Sequence, residues 1–387
     1  MELQLSRRTF IKTTVAGLAG LTLGIRLPAG KAHAAAPDSA ADGQVTIWLN
    51  ISEDNRITVL VPKAEMGQGV GTALPMILAE ELEADWQTIV IELVGETGPY
   101  SISGMPITAG STSISGLYQP FREIGAAAKE MLLTACASRL SVARESLTAK
   151  NSTVTHPLLG SLTYGQLAAD AARLPVPKSP VLKDPNDFTI IGQPLARLDT
   201  PANIEGRSMY GIDVVVPGML YAAVRQSPVF GGEVQNFDAL SLAGTDAAGG
   251  TIVAIPGGIA VVAKSWWQAQ RAVQSLDIQF STPAKMQGLT SDGISAQYTR
   301  DLESRGTTQK VRGLPRLAMS GATVKAEAVY EAPYCAHASM EPLCCTASVT
   351  SESCELWAPT QGASLVQAAA AAATGLKASA ITVHATC

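Results

Sequence analysis

The sequence predicts an α+β protein of more than one domain, and three observations carry that reading. Short β-branched runs bounded by turn residues are interleaved with stretches of helical apolar spacing. A proline-dense stretch from Leu174 to Pro201 breaks the pattern between two structured regions. The 387 residues, 47% hydrophobic and 16% charged, suffice for two or three modest cores.

Residues 34–43 form an Ala/Asp/Ser/Pro linker without apolar period, so structure is expected from Gln44 onward. Val45 to Leu49 and Arg56 to Val61 flank the turn Ser52-Glu53-Asp54-Asn55 and read as a hairpin. A Gly-rich loop follows. Thr72 to Asp85 places Leu74, Ile77, Leu78 and Leu82 at helical spacing, with Thr72 as N-cap, and Ile89 to Val94 reads as a strand. Leu117 to Leu140, with Phe121, Ile124, Ala128, Met131, Leu132 and Ala135 on one face, is the longest helix. Leu174 to Pro201 holds six of the 22 prolines and reads as a domain connector. Beyond it, Gly211 to Val216, Leu220 to Gln226, Thr251 to Ile255, Ile259 to Val262 and Leu276 to Phe280 read as strands around a helix at Trp266 to Gln274. A strand-rich segment resumes at Thr323, and an alanine-rich helix from Leu365 to Thr374 stops at Gly375.

Composition excludes several classes. With 28 basic against 33 acidic residues and a formal charge of −5, the chain lacks the dense basic surface that nucleic-acid binding needs. No apolar run reaches the roughly 20 residues that cross a bilayer. The six cysteines, Cys136, Cys335, Cys344, Cys345, Cys354 and Cys387, contain no C-x-x-C pair, which disfavours a zinc or iron–sulfur site within the chain. The vicinal Cys344 and Cys345 read as small core residues.

The N-terminus reads S-R-R-T-F-I-K from Ser6 to Lys12, then an uncharged stretch from Thr13 to Ile25 and the small-x-small step Ala32-His33-Ala34. This looks like a twin-arginine export signal spanning residues 1–34, with a buried N-terminal helix as the competing reading. Its removal leaves a more acidic mature chain. The twin-arginine route carries folded proteins, often with a cofactor already inserted, and so points to an exported redox enzyme. A cofactor-free binding protein or a hydrolase is also compatible with export.

The segment Glu65-Met66-Gly67-Gln68-Gly69-Val70-Gly71-Thr72 lies between a strand and a helix. Alternate glycines let a backbone approach a ligand, and a helix N-terminus offers unpaired N–H groups to an anion. It matches neither the P-loop nor the nicotinamide fingerprint, and a plain strand-to-helix turn is the alternative. Thr108-Ala109-Gly110-Ser111-Thr112-Ser113-Ile114-Ser115 is a second, hydroxyl-rich loop ahead of the long helix. Further on come Ala336-His337-Ala338-Ser339-Met340-Glu341-Pro342 and Trp357-Ala358-Pro359-Thr360-Gln361.

Taken in this order, with Ile190-Ile191-Gly192, Arg197-Leu198-Asp199, Tyr210-Gly211-Ile212-Asp213 and Pro217-Gly218-Met219-Leu220, these segments resemble the molybdenum-binding large subunit of the xanthine oxidase family. The branch they resemble holds isoquinoline 1-oxidoreductase beta subunits and periplasmic or membrane-associated aldehyde dehydrogenases. The resemblance divides the chain into the signal (1–34), a molybdopterin-binding segment (44–175), the Pro-rich connector (176–201), an α/β hammerhead-like domain (202–290) and the start of a further molybdopterin-binding domain (300–387). Within the hammerhead, Gly231-Gly232 reads as a turn.

The resemblance implies oxidation of N-heterocycles or aldehydes at a molybdenum–pterin centre, with water as oxygen source and a glutamate as base. It implies the cytosine dinucleotide form of molybdopterin. By this resemblance Gly67, Gln68, Gly69 and Thr72 cradle the cofactor with Gly110, Ser111 and Ser113, and the Gln361 amide donates to a molybdenum oxygen ligand. The competing reading of Gln361 is an exposed loop amide, and His337 reads as a packed, satisfied histidine without a catalytic role. No side chain need ligate the metal. Implied partners are a small [2Fe–2S] subunit, with a cytochrome c subunit as a further candidate, and a small-molecule substrate. The implied location is the periplasm, with membrane association through a partner.

Members of this branch are about twice as long and continue, after the segment matching Ile381-Thr382-Val383-His384, into a Gly-Gly-Gly-Phe-Gly loop. The expectation is an N-terminal fragment whose cofactor site is incomplete, whose general base lies outside it, and which is inactive until the C-terminal half is supplied. The alternative function is a cofactor-free exported binding or interaction protein. A pyrroloquinoline-quinone dehydrogenase is a third reading, for which the propeller repeats of such quinoproteins are missing.

Overall fold

The computed structural model describes residues 20–24, 47–94, 107–238 and 250–386. Arg7, Arg8 and the Ala32-His33-Ala34 step lie outside them. Strand β1 (Gly20–Gly24) falls inside the segment read as a signal. It pairs antiparallel with β2 (Ile47–Ser52), Leu21 opposite Ile51, and Leu21 is fully buried in the core. The expectation that structure starts at Gln44 is thereby corrected, because the exposed backbone edge of β2 accepts an extended apolar partner.

The hairpin holds. β2 joins β3 (Ile57–Val61) through a turn in which Asn55 takes the left-handed conformation. β3 then pairs in parallel with β4 (Ile89–Leu93), which requires a crossover. Helix α1 (Val70–Leu82) supplies it. The sheet order is β1-β2-β3-β4.

Helix α2 (Ser113–Leu140) begins four residues earlier than the sequence suggests and buries the expected face, including Phe121, Ile124, Met131 and Leu132, in the same core. Gly125 marks its closest approach to α1: a Cβ there would lie 2.9 Å from Glu81 Cβ and against the Leu78 carbonyl. A meander of β5 (Thr148–Lys150), β6 (Thr153–His156) and β7 (Gly160–Thr163) and a helix α3 (Tyr164–Ala171) follow. These four elements are absent from the sequence reading: the strands are only three or four residues long and the helix is barely two turns. Thr163 closes a capping box with Gln166.

The proline-dense stretch does more than link domains. Ile190, Ile191 and Leu198 pack on the core, and the short helix α4 (Thr200–Ile204) follows. Gly211 to Asp213 is a single 3-10 turn, not the expected strand; Gly211 lies too close to Pro359 Cδ, at 2.7 Å from an added Cβ, for any other residue to fit without movement.

Two compact units emerge. One comprises the described residues up to Val214 together with those from Glu341, and the other is Val215–Met340. The second unit contains β8 (Tyr221–Gln226), β9 (Val234–Phe237), β10 (Thr251–Ile255), β11 (Gly258–Ala263), α5 (Trp266–Ser275) and β12 (Ile278–Phe280), in sheets ordered β10-β11-β8 and β12-β9. Its core includes Ile259, Val261, Ala269, Ala272, Val273 and Leu276. Gly231 is a left-handed turn residue, as expected. Helices α6 (Ser291–Leu302) and α7 (Pro315–Gly321) bury no residue.

The strand-rich segment starts at Thr346, not Thr323; residues 323–345 are irregular. β13 (Thr346–Val349) pairs with β14 (Cys354–Ala358), helix α8 (Ala363–Thr374) ends at left-handed Gly375, and β15 (Ile381–Ala385) returns parallel to β14. Among the described residues no helix is long and apolar enough to cross a membrane.

Candidate functional site

β3 delivers the chain into the Gly-rich loop. Gly67 (φ 102°) and Gly69 (φ 83°) both adopt backbone conformations that side chains disfavour, and Gly69 caps α1. The buried Glu65 carboxylate lies beneath this turn. Its Oε1 accepts from the N–H groups of Gly67 (2.9 Å) and Gly69 (3.0 Å), and its Oε2 accepts from Gly71 N–H at 2.8 Å. The unpaired amides that the sequence suggests for an outside anion are thus already satisfied from within. Gln68 folds back on the loop, accepting from Met66 N–H and donating to Ala64 O, both at 2.8 Å. Thr72 is not the N-cap; it lies within the first turn, where its Oγ1 accepts from Leu198 N–H at 3.0 Å. Among the described residues, the Gln68 N–H is the amide of Met66 to Gly69 that lacks an acceptor.

The proline-dense stretch fastens this loop and α1 at successive points. Arg197 donates to Gly67 O (2.8 Å), Glu65 (3.2 Å) and, through Nε, Asp199 (2.9 Å). The hydrogen bond from Arg197 holds the Asp199 carboxyl below its ordinary value. Farther along α1, the fully buried Glu80 accepts from Lys183 Nζ (2.7 Å) and from the N–H groups of Thr189 (2.9 Å), Ile190 (2.6 Å) and Ile191 (2.8 Å). Glu81, equally buried, accepts from Arg122 Nε at 2.6 Å and from Lys183 N–H at 2.8 Å.

Thr108 joins three segments. Its Oγ1 accepts from Ala64 N–H (2.9 Å), its N–H donates to Gln361 O (2.7 Å), and its carbonyl accepts from Gln361 Nε2 (2.6 Å). The ammonium of fully buried Lys63 lies 3.4 Å from Ile107 O. Lys63, Thr108, Thr360, Gln361 and Thr386 line one small cleft. Gln361 therefore spends one amide hydrogen on Thr108 and retains a second. Gly110 and Ser111 are exposed and left-handed, and Ser113 opens α2, so these three stand on the turn just beyond Thr108.

Sequence reasoning missed Glu65, Arg197, Thr108 and Lys63 as site residues. Glu65 and Thr108 were visible inside the two loops, but which group takes the loop amides depends on side-chain direction. Two further expectations are corrected. His337 is exposed, not packed, because residues 323–345 fold onto no core. Cys345 is exposed and Cys344 only partly buried, for the same reason.

The residues present fit an oxygen-rich cofactor. A Cβ at Gly67 or Gly69 would meet nothing within 4 Å, so the loop's outer side is open. The Gln68 N–H and the second Gln361 amide hydrogen are donors. Thr386 Oγ1 is buried without a hydrogen-bond partner among the described residues.

Comparison with known proteins agrees. Residues 8–210 match a family described as molybdopterin cofactor-binding domain, and residues 300–386 match a second family of that description. The chain is 27% identical to the beta subunit of isoquinoline 1-oxidoreductase from Brevundimonas diminuta, over 98% of this chain and 55% of that protein. It is 33% identical to a membrane-bound aldehyde dehydrogenase [pyrroloquinoline-quinone] of Gluconacetobacter polyoxogenes, over 61% of this chain and 31% of that protein. With a nicotinate dehydrogenase subunit of Pseudomonas putida it shares 26% identity over 88% of this chain and 29% of that protein. The chain thus spans about half, or less, of the length of these relatives. Quinoline 2-oxidoreductase from Pseudomonas putida 86 superposes with a TM-score of 0.34 at 19% identity, over 50% of this chain and 30% of that one. With the first family matched over more than half of its residues, the chain belongs to the molybdopterin cofactor-binding large subunits of the xanthine oxidase family.

Proposed function

We propose that these 387 residues are the N-terminal part of a large subunit that oxidises N-heterocycles or aldehydes with water as oxygen source. The observation that carries the reading is Thr108, which ties Ala64, at the entry to the Gly-rich loop of the first matched segment, to Gln361 of the second. When bound, a molybdenum–pterin group supplies the two-electron oxidation. The chain's own residues would hold it: Gly67 and Gly69 shape the loop, Gln68 would offer its N–H, and Gln361 would offer its second amide hydrogen to an oxygen of the group. Gly110, Ser111 and Ser113 add polar groups from the neighbouring turn, and Thr72 acts indirectly by fixing Leu198. The resemblance to the isoquinoline branch supports the cytosine dinucleotide form and a small [2Fe–2S] partner, with a cytochrome c subunit as a further one.

The resemblance puts the general base in the additional length that the relatives have. Loss of a base costs about 10²- to 10⁴-fold, so the proposal is that turnover requires the additional length its relatives have. The test assays aldehyde oxidation and heterocycle hydroxylation with an artificial electron acceptor, using this chain alone and then with the small subunit and a C-terminal half. Molybdenum-dependent turnover by the 387 residues alone would refute the proposal, and stoichiometric iron in the chain would refute the division of labour with a small subunit.

Export to the periplasm by the twin-arginine route is supported by Arg7, Arg8 and the apolar stretch after them. Replacing both arginines by lysine is expected to hold the precursor in the cytoplasm; undiminished periplasmic protein speaks against the route. A cofactor-free binding protein is the second reading, favoured by the way Glu65 already satisfies the loop amides. Molybdenum analysis of the purified chain separates the two.

A further inference from the structure

We propose that Glu65 and Arg197 are positioning residues of the Gly67–Gly69 loop. An internal carboxylate fills the amide nest, the guanidinium locks it from outside, and the loop meets its ligand through the Gln68 N–H instead of the glycine amides. The identity of that ligand rests on the proposed function; the latch is a property of the chain.

Three facts converge. First, one buried carboxylate takes all three glycine amides, at 2.8 to 3.0 Å. Hydrogen bonds to an ionised acceptor are about twice as strong as neutral ones, and a carboxylate buried without them would be strongly disfavoured. Second, the glycines suit the carboxylate. A Cβ on Gly71 would lie 3.3 Å from Glu65 Oε2, whereas Cβ atoms on Gly67 and Gly69 would meet nothing, so those two are required for their positive φ alone. Third, Arg197 uses three nitrogens on three different groups: Gly67 O, Glu65 and Asp199. A lysine offers one point of charge and cannot reproduce that fork.

The consequence for binding is electrostatic. A phosphate aimed at the same amides would have to stand against the Glu65 carboxylate, and two anions in hydrogen-bond reach of one site repel. The loop amide still open to an acceptor is that of Gln68, on the exposed outer side. Glu65 thus fixes where the loop points without touching what it binds.

Hydrogen exchange of the peptide spanning residues 64–72, followed by mass spectrometry on the full chain, tests the latch. Glu65→Ala is expected to raise exchange at the Gly67, Gly69 and Gly71 amides about tenfold, the equivalent of losing one charge-assisted bond each. Free acetate, which restores a carboxylate to the vacated nest, is expected to bring protection back, an effect that mere loss of packing would not show. Arg197→Lys should give an intermediate rise. Glu65→Gln, nearly isosteric, serves if the alanine variant does not fold, because its amide N–H2 would face the Gly71 N–H and loosen the loop. Unchanged protection of residues 121–135, whose apolar face lies in the core of the same unit, certifies folding. Unchanged exchange at residues 64–72, or a rise in Glu65→Ala that acetate leaves untouched, overturns the proposal. Molybdenum per chain, measured on the same samples, is expected to fall in the loosened variants. Wild-type chain without molybdenum counts against the cofactor reading, while the exchange data still decide the latch.

Discussion

Thr108 and Gln361, 253 residues apart, exchange two hydrogen bonds: Thr108 N–H to Gln361 O at 2.7 Å and Gln361 Nε2 to Thr108 O at 2.6 Å. Both groups of each pair are thereby oriented, and the side chain that the family resemblance assigns to the cofactor is already held at one end by the other matched segment. Gln361→Ala should loosen residues 107–113 and cost about 1 kcal/mol. Gln361→Glu should cost more, because a carboxylate oxygen would face the Thr108 carbonyl, acceptor against acceptor. Urea unfolding of the three proteins checks the order; equal stability of the Glu variant and wild type would contradict it.

Glu80 makes stability depend on pH in a definite direction. Burial raises its carboxyl, but Lys183 and the amides of Ile191, Ile190 and Thr189 outweigh burial and hold it below the ordinary value. A group depressed on folding stabilises above its unfolded pKa, near 4.5, and that contribution is lost as pH falls through the folded value. Lys183 runs the other way. Burial lowers it, Glu80 and Glu83 raise it further, and its contribution is lost only as pH rises through the raised value. Glu80→Gln should therefore cost about 3 kcal/mol at neutral pH and flatten the acid limb of a stability-against-pH curve. An acid limb as steep as wild type would show that other carboxylates carry it.

Two glycines on α2 should respond oppositely to alanine. At Gly125 an added Cβ runs into the Leu78 carbonyl and lies 2.9 Å from Glu81 Cβ. Overpacking of about 1–3 kcal/mol there exceeds the gain of about 1 kcal/mol in helix propensity. At Gly116 nothing lies within 4 Å, so propensity acts alone and alanine should stabilise by about 1 kcal/mol. Thermal midpoints of the two variants, moving in opposite directions, are the expected result.

Leu21 makes the N-terminal segment part of the folded core. Leu21→Ala should cost about 2–4 kcal/mol, and a chain starting after Ala34 should lose β1 altogether and unfold at lower denaturant. Equal midpoints for the full and shortened chains would show that β1 contributes nothing. Intact mass of protein recovered from the periplasm, in the same experiment, tells whether the strand is kept after export.

The sequence by itself determined the elements whose pattern is local. The β2–β3 hairpin follows from its turn and alternation, α2 from a single apolar face, and α8 from alanines stopped at Gly375. The order of its loops also carried the family. What only tertiary structure decided lies where distant groups meet. Three short strands of the meander owe their existence to partners, since a three-residue run has no readable period. The Leu174 to Pro201 stretch reads as a linker because prolines forbid regular structure, yet its free amides find Glu80 and Glu81 on α1. Above all, glycine spacing announces a turn able to bind an anion, but the occupant is set by direction in space. A buried carboxylate must be paired, Glu65 is two residues from the nearest amide, and so the chain satisfies its own loop.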